Sequence, residues 1–212
     1  MHMPKAIAAL PKWTDDEQSR YQLECVRLRR EAGTVFAEAT DGRRLCRLTW
    51  QGEGPDGEYR LPAKTLSKTL KTVGVQDGGY SASLNGVVTL YGKNCGHTVP
   101  SESVDHKWPK TEDVLYPPGT AKCADVNVRD LREQARAAIK AQPKVHQLFM
   151  DLELAGVKTR LDARFVRDMA ETAIQCGYEQ VQVSATDRQS AVHFCAFTDV
   201  KFEAVIMPLA AD

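Results

Sequence analysis

Asn85-Gly86 joins two short apolar-rich runs, 80–84 and 87–91. That dipeptide adopts the positive-φ backbone of a two-residue hairpin at little steric cost, so the runs read as paired antiparallel strands. Asp41-Gly42 repeats the device between 34–40 and 45–50. Ahead of it, 21–29 alternates polar with apolar residues, the period of a half-buried strand, and Glu31-Ala32-Gly33 turns the chain. The spacing predicts a helix over 61–73, with Pro62 in its first turn. There Leu66, Leu70 and Val73 fall at i, i+4 and i+7, and Lys64, Lys68 and Lys71 share another face. Pro-punctuated sequence from Trp108 to Gly119 reads as a linker, giving domains 1–117 and 118–212.

Beyond the linker the order of elements recurs. Residues 128–141 read as a helix capped by Asn127, and 146–154 as a strand turned by Ala155-Gly156. Residues 162–176 form an amphipathic helix ended by Gly177, with strands at 180–184, 191–197 and 201–207. Strands outnumber helices without strict strand–helix alternation. The expected class is α+β: two domains, each an antiparallel sheet with short helices on one face.

Composition narrows the function. Twenty-eight basic residues balance 28 acidic ones, which argues against a tail-driven polyanion binder but allows charges sorted onto different faces. No apolar run approaches the roughly 20 residues that span a bilayer, and the N-terminus has no secretory pattern. The expectation is a cytoplasmic protein with no membrane role. The six cysteines form no C-x-x-C pair and read as small buried hydrophobes in a reducing compartment. No metal site or cofactor is expected. The five histidines stand apart with no H-E-x-x-H motif, no P-loop or G-x-G-x-x-G occurs, and Ser101–His106 lies too close in sequence for a triad. An enzyme is therefore not expected.

Several segments, in order, resemble the bacterial DNA sliding clamp, the polymerase III β subunit. Ala39-Thr40-Asp41-Gly42-Arg43-Arg44-Leu45 is similar to the "A-T-D-G-x-R-L" hairpin of that family's second domain. Leu61-Pro62-Ala63-Lys64-Thr65-Leu66 resembles its "v-P-x-k-x-L" helix start, and 107–117 its exit into the third domain. Residues 161–169 resemble "f-N-a-x-y-L-x-d-x-L", and Val205-Ile206-Met207-Pro208-Leu209 the closing "v-x-M-P-x". The resemblance spans about residues 20–209 and covers the second and third of the family's three domains. It departs in the second half, where one clear strand lies between the helices against about three in the family. The polar segment before Arg20 also shows no clear helix.

The resemblance implies a protein that does no covalent chemistry: a ring around duplex DNA that tethers a DNA polymerase and is opened by a clamp loader. Two domains per chain are similar to the eukaryotic and archaeal clamp, so six domains imply a homo-oligomer, a trimer; the alternative is a clamp-derived adaptor that closes no ring. The DNA-facing candidates are Lys64, Lys68 and Lys71, with Arg129, Arg132, Arg136 and Lys140, which recur at three- or four-residue steps. The family's peptide cleft maps onto Thr40, Gly42, Arg43, Arg44, Leu45, Pro117, Val205, Met207, Pro208 and Leu209, with Arg44 expected at the rim.

Overall fold

The computed structural model describes residues 1–15, 21–104, 107–115, 121–141, 148–154 and 156–209. The chain divides into two units: Met1–Gly42, Cys46–Pro109 and Thr198–Lys201 make the first, and the remainder makes the second.

In unit 1, β1 (His2–Pro4) leads into a 3-10 helix, Lys5–Trp13. Then come β2 (Cys25–Glu31), β3 (Thr34–Thr40), β4 (Arg44–Gln51, whose first two residues belong to unit 2) and β5 (Gly57–Pro62). Helix α1 (Ala63–Val73) and the strands β6 (Gly79–Leu84), β7 (Val88–Tyr91) and β8 (Gly96–Val99) complete the order. The sheets run β5-β2-β3-β4 and β1-β6-β7-β8, with antiparallel pairing along each. Asn85-Gly86 does turn β6 into β7, with Gly86 at φ +75°. The 61–73 helix starts two residues late, because Leu61 and Pro62 end β5. Leu66, Leu70 and Val73 bury as their spacing requires, and α1 packs on the 3-10 helix. That helix is the N-terminal element that the sequence does not signal. Its Pro11 lacks the N–H that a continuous α-helical ladder needs.

The outer face of the β5-β2-β3-β4 sheet is not the solvated face that alternation suggests. Glu38 on β3 is 1% exposed, and it binds Arg27 on β2 at 3.2 Å and Arg47 on β4. Glu58 on β5 takes Arg27 at 2.6 Å and also holds Arg60. Trp108 covers the row, its ring 4.6 Å from the Arg60 guanidinium and 5.8 Å from that of Arg27. Charges leave water here because each carboxylate serves two guanidiniums, which offsets the desolvation cost.

Unit 2 holds α2 (Glu112–Leu115), β9 (Lys122–Asn127), α3 (Val128–Ala141), β10 (Phe149–Leu154) and β11 (Val157–Asp162). Helix α4 (Ala163–Gln175) and the strands β12 (Gln180–Ala185), β13 (Val192–Ala196) and β14 (Lys201–Ile206) follow. The order β14-β13-β12-β9 makes one antiparallel sheet, and β10-β11 is a separate two-stranded hairpin. Among the described residues two strands, not one, stand between the helices: β11 escapes the sequence reading because its alternation runs into the α4 pattern. Asn127 caps α3, accepting from the Arg129 N–H at 2.9 Å, and Asp162 caps α4 through the Arg164 N–H at 2.8 Å. Val128, Leu131 and Ala135 of α3 and Val166, Met169 and Ala173 of α4 form the buried faces on which the two helices pack. Both units are thus α+β, built on antiparallel sheets with short helices. Among the described residues no helix is long and apolar enough to cross a membrane.

The cysteines correct their expected burial. Cys25 and Cys46 are buried, but Cys95 and Cys123 are exposed and Cys176 and Cys195 half-buried, all as free thiols. Burial, then the nearby Glu24 and Glu102 charges, pushes the Cys25 thiol up to about 12. An aromatic disulfide reagent should therefore modify Cys95 and Cys123 rapidly in the native protein, and Cys25 and Cys46 only after unfolding. Equal rates at all six thiols would contradict this burial pattern.

Candidate functional site

Two features of unit 2 gather most of the residues assigned to the cleft. Leu45, Leu115 and Val205 form a buried apolar cluster, with Ala191 packed against it. Beside it the C-terminal segment is pinned at two points. The Met207 N–H donates to the Arg43 carbonyl at 2.9 Å, and the Leu209 N–H to the Arg160 carbonyl at 2.9 Å. The Met207 side chain stays 46% exposed, Pro208 and Leu209 are half-buried, and Arg43 is exposed. An exposed thioether next to a buried aliphatic cluster suits an adaptable hydrophobic ligand, because Met has several rotatable bonds and no branched stem.

Arg44 does not occupy a rim. Its guanidinium is buried, donates to Asp168 Oδ2 at 2.8 Å and lies 4.2 Å from the Phe165 ring. Asp168 also receives the Arg167 guanidinium on Oδ1 at 2.8 Å. Arg44 thus ties the chain beside Leu45 to α4 within unit 2. Thr40 and Gly42 belong to unit 1. The Gly42 N–H donates to Thr40 Oγ1 at 3.1 Å, and Gly42 sits at φ +84°, a turn that a side chain would strain. Pro117 lies outside the described residues, as do Asp105 and His106.

Sequence reasoning passed over Leu115, Ala191 and His193. Leu115 stands two residues before the proline chosen from the family pattern. Ala191 packs on the cluster just ahead of β13, and the β13–β14 register pairs His193 with Val205. No local pattern records that pairing.

The basic residues divide into two settings. Lys64, Lys68 and Lys71 project from α1 into an open groove of about 610 Å³, together with Lys12 and the carboxylates of Asp15 and Glu24. On α3, Arg136 pairs with Glu171 at 2.9 Å and Arg129 with Glu179 at 3.7 Å. Arg132 is half-buried, and Lys140 is exposed. Lys64, Lys68 and Lys71 are all exposed on α1. Among the described residues no group of three His, Cys, Asp or Glu side chains could hold a metal ion.

No family model and no curated protein matches the sequence. Solved structures do. The sliding clamp of Bacillus subtilis superposes with a TM-score of 0.78 at 14% identity, over 97% of this chain and 61% of that one. The DNA polymerase III β subunit of Pseudomonas aeruginosa gives 0.74 at 20% identity, over 99% and 66%. The Helicobacter pylori β clamp, solved with a DNA ligase peptide, gives 0.75 at 12% identity, over 100% and 65%. The fold is that of the bacterial DNA sliding clamp. Nearly the whole chain adopts it, while spanning 61–66% of the length of these clamps. The clamp fold also accounts for sheets backed by helices in each unit.

Proposed function

We propose that this protein is a sliding-clamp-like processivity factor. Three copies close a homo-oligomeric ring on duplex DNA, and a DNA polymerase and a clamp loader engage it through linear peptides. The observation that carries this reading is the clamp fold extending over 97–100% of the chain in two units. Residues 1–117 serve as the counterpart of the family's second domain and 118–212 as that of its third. Lysines on α1, with the basic residues of α3, face the phosphates. Their contacts are loose, since each tight phosphate contact would add friction as well as affinity. The protein acts in the cytoplasm, transforms no substrate and needs no cofactor.

The peptide cleft is formed by Leu45, Val205, Met207, Pro208 and Leu209 of unit 2. The Leu45–Leu115–Val205 cluster and the exposed Met207 support it, as does the ligase peptide on the Helicobacter pylori clamp. A chain ending at Ile206 should keep its fold, because Met207 to Leu209 add no core residue. It should bind that ligase peptide at least tenfold more weakly by calorimetry, roughly the loss expected for one good apolar anchor. Unchanged affinity removes the cleft from this account.

One observation favours the alternative, a clamp-derived adaptor that closes no ring. Among the described residues the second sheet of unit 2 has only β10 and β11, where each sheet of unit 1 has four strands.

A further inference from the structure

We propose that Asn85 is a self-modification site: in the folded protein its side-chain amide is displaced by the Gly86 nitrogen, leaving a mixture of aspartate and isoaspartate in the turn between β6 and β7.

The reaction consumes only water. The Gly86 backbone nitrogen attacks Asn85 Cγ, a C–N bond forms between them, and the Cγ–Nδ2 bond breaks. Nδ2 leaves as ammonia with the proton of the Gly86 N–H, and a cyclic succinimide remains. Water then opens the ring at one of its two carbonyls. Opening at Cγ gives aspartate. Opening at the backbone carbonyl gives isoaspartate, whose main chain runs through Cβ and Cγ and is longer by one atom.

Such an attack needs a nitrogen not committed to a hydrogen bond, an open approach, and a side-chain amide able to turn. The turn offers all of them. Asn85, Gly86 and Val87 are exposed, and the Gly86 N–H meets no acceptor among the described residues. Gly86 carries no side chain, and nothing lies within 4 Å of where a Cβ would stand. Asn85 Nδ2 makes a single bond at the surface, to Ser83 Oγ at 3.2 Å.

The chain's other asparagines, Asn94 and Asn127, lack this combination. Asn94 donates through Nδ2 to the Thr72 carbonyl at 3.0 Å and through its backbone N–H to the Val73 carbonyl at 2.9 Å. Asn127 Oδ1 holds the N–H groups of Arg129 and Asp130, at 2.9 and 3.3 Å. The nitrogen that would attack it belongs to buried Val128 and donates to the Glu179 carbonyl at 3.0 Å. Even Gly42, in the similar Asp41-Gly42 turn, has its N–H tied to Thr40 Oγ1.

The consequences are local and electrostatic. A hairpin takes its register from its turn, so the longer isoaspartyl backbone acts on the β6–β7 pairing. Basic and acidic side chains balance at 28 each, so every conversion creates a species one charge more acidic.

The test ages the full chain in neutral buffer beside a urea-unfolded sample, until the unfolded sample has lost the Asn85 amide. Peptide mapping by mass should then find Asn85 of the native sample converted to both aspartate and isoaspartate, with Asn94 and Asn127 intact. Isoelectric focusing should show the acidic species accumulating in the wild type. Asn85→Gln, which sets the amide one carbon further from the nitrogen, should not form it over the same period. Asn85 intact in the native chain would show that the turn protects it and overturn the proposal. Native Asn94 or Asn127 converting as fast as Asn85 would overturn it too, as would aspartate without isoaspartate, which excludes the succinimide.

Discussion

Asp168→Ala is expected to lower the stability of unit 2 by about 3–5 kcal/mol, read as a fall in the denaturant midpoint. Asp168 is buried on α4 and faces the equally buried guanidinium of Arg44, 2.8 Å away. Removing the carboxylate keeps Arg44 in a low-dielectric site without the charge that offsets it there. The loss then includes the desolvation of that cation, beyond the hydrogen bond itself. Arg44 precedes Leu45 in the chain, so peptide affinity should fall alongside stability. Replacing both partners by apolar residues of similar volume, Arg44→Met with Asp168→Leu, should recover most of the stability. A single Asp168→Ala change that costs under about 1 kcal/mol would mean that the pair is solvated and does not hold the chain beside Leu45 on α4.

The second large effect concerns DNA. Replacing Lys64, Lys68, Lys71 and Lys140 together by Ala should leave the fold intact, since all four side chains are exposed. Retention on circular duplex DNA should weaken, and its log–log salt dependence should become shallower by about 0.9 for each phosphate contact removed. The four positions would together account for a change of about 3 to 4 in that slope. Replacing Arg129 and Arg136 instead should do less, because Glu179 and Glu171 already offset part of their charge. Unchanged retention at physiological salt in the four-lysine variant would place DNA on another surface.

Much of this architecture was legible in the residues. Asn85-Gly86 and Asp41-Gly42 mark real turns, and 128–141 is the α3 helix with its Asn127 cap. What escaped had weak local signals. β8 is four residues long with three exposed, and β9 is the edge of its sheet, bound on one side by β12. Neither carries the alternation of a half-buried strand. Glu38 is buried together with Arg47 and Arg60, which are 4% and 3% exposed. Their burial depends on partners from separate strands and on the cover of Trp108, which no window along the chain reveals.

The candidate site divides the same way. Leu45, Val205 and Met207 carried a recognisable pattern and do lie with the cluster or its edge. Leu115 and Ala191 enter through tertiary packing, and Arg44 proved to be an anchor once its partner on a distant helix was known.

The central claim, two clamp units per chain closing a ring, is tested most directly by the mass in solution, measured by light scattering across a concentration series. The account predicts a species of three times the 23.5 kDa chain, which supplies six clamp units. A monomer that persists to the highest concentrations would contradict the self-closing ring.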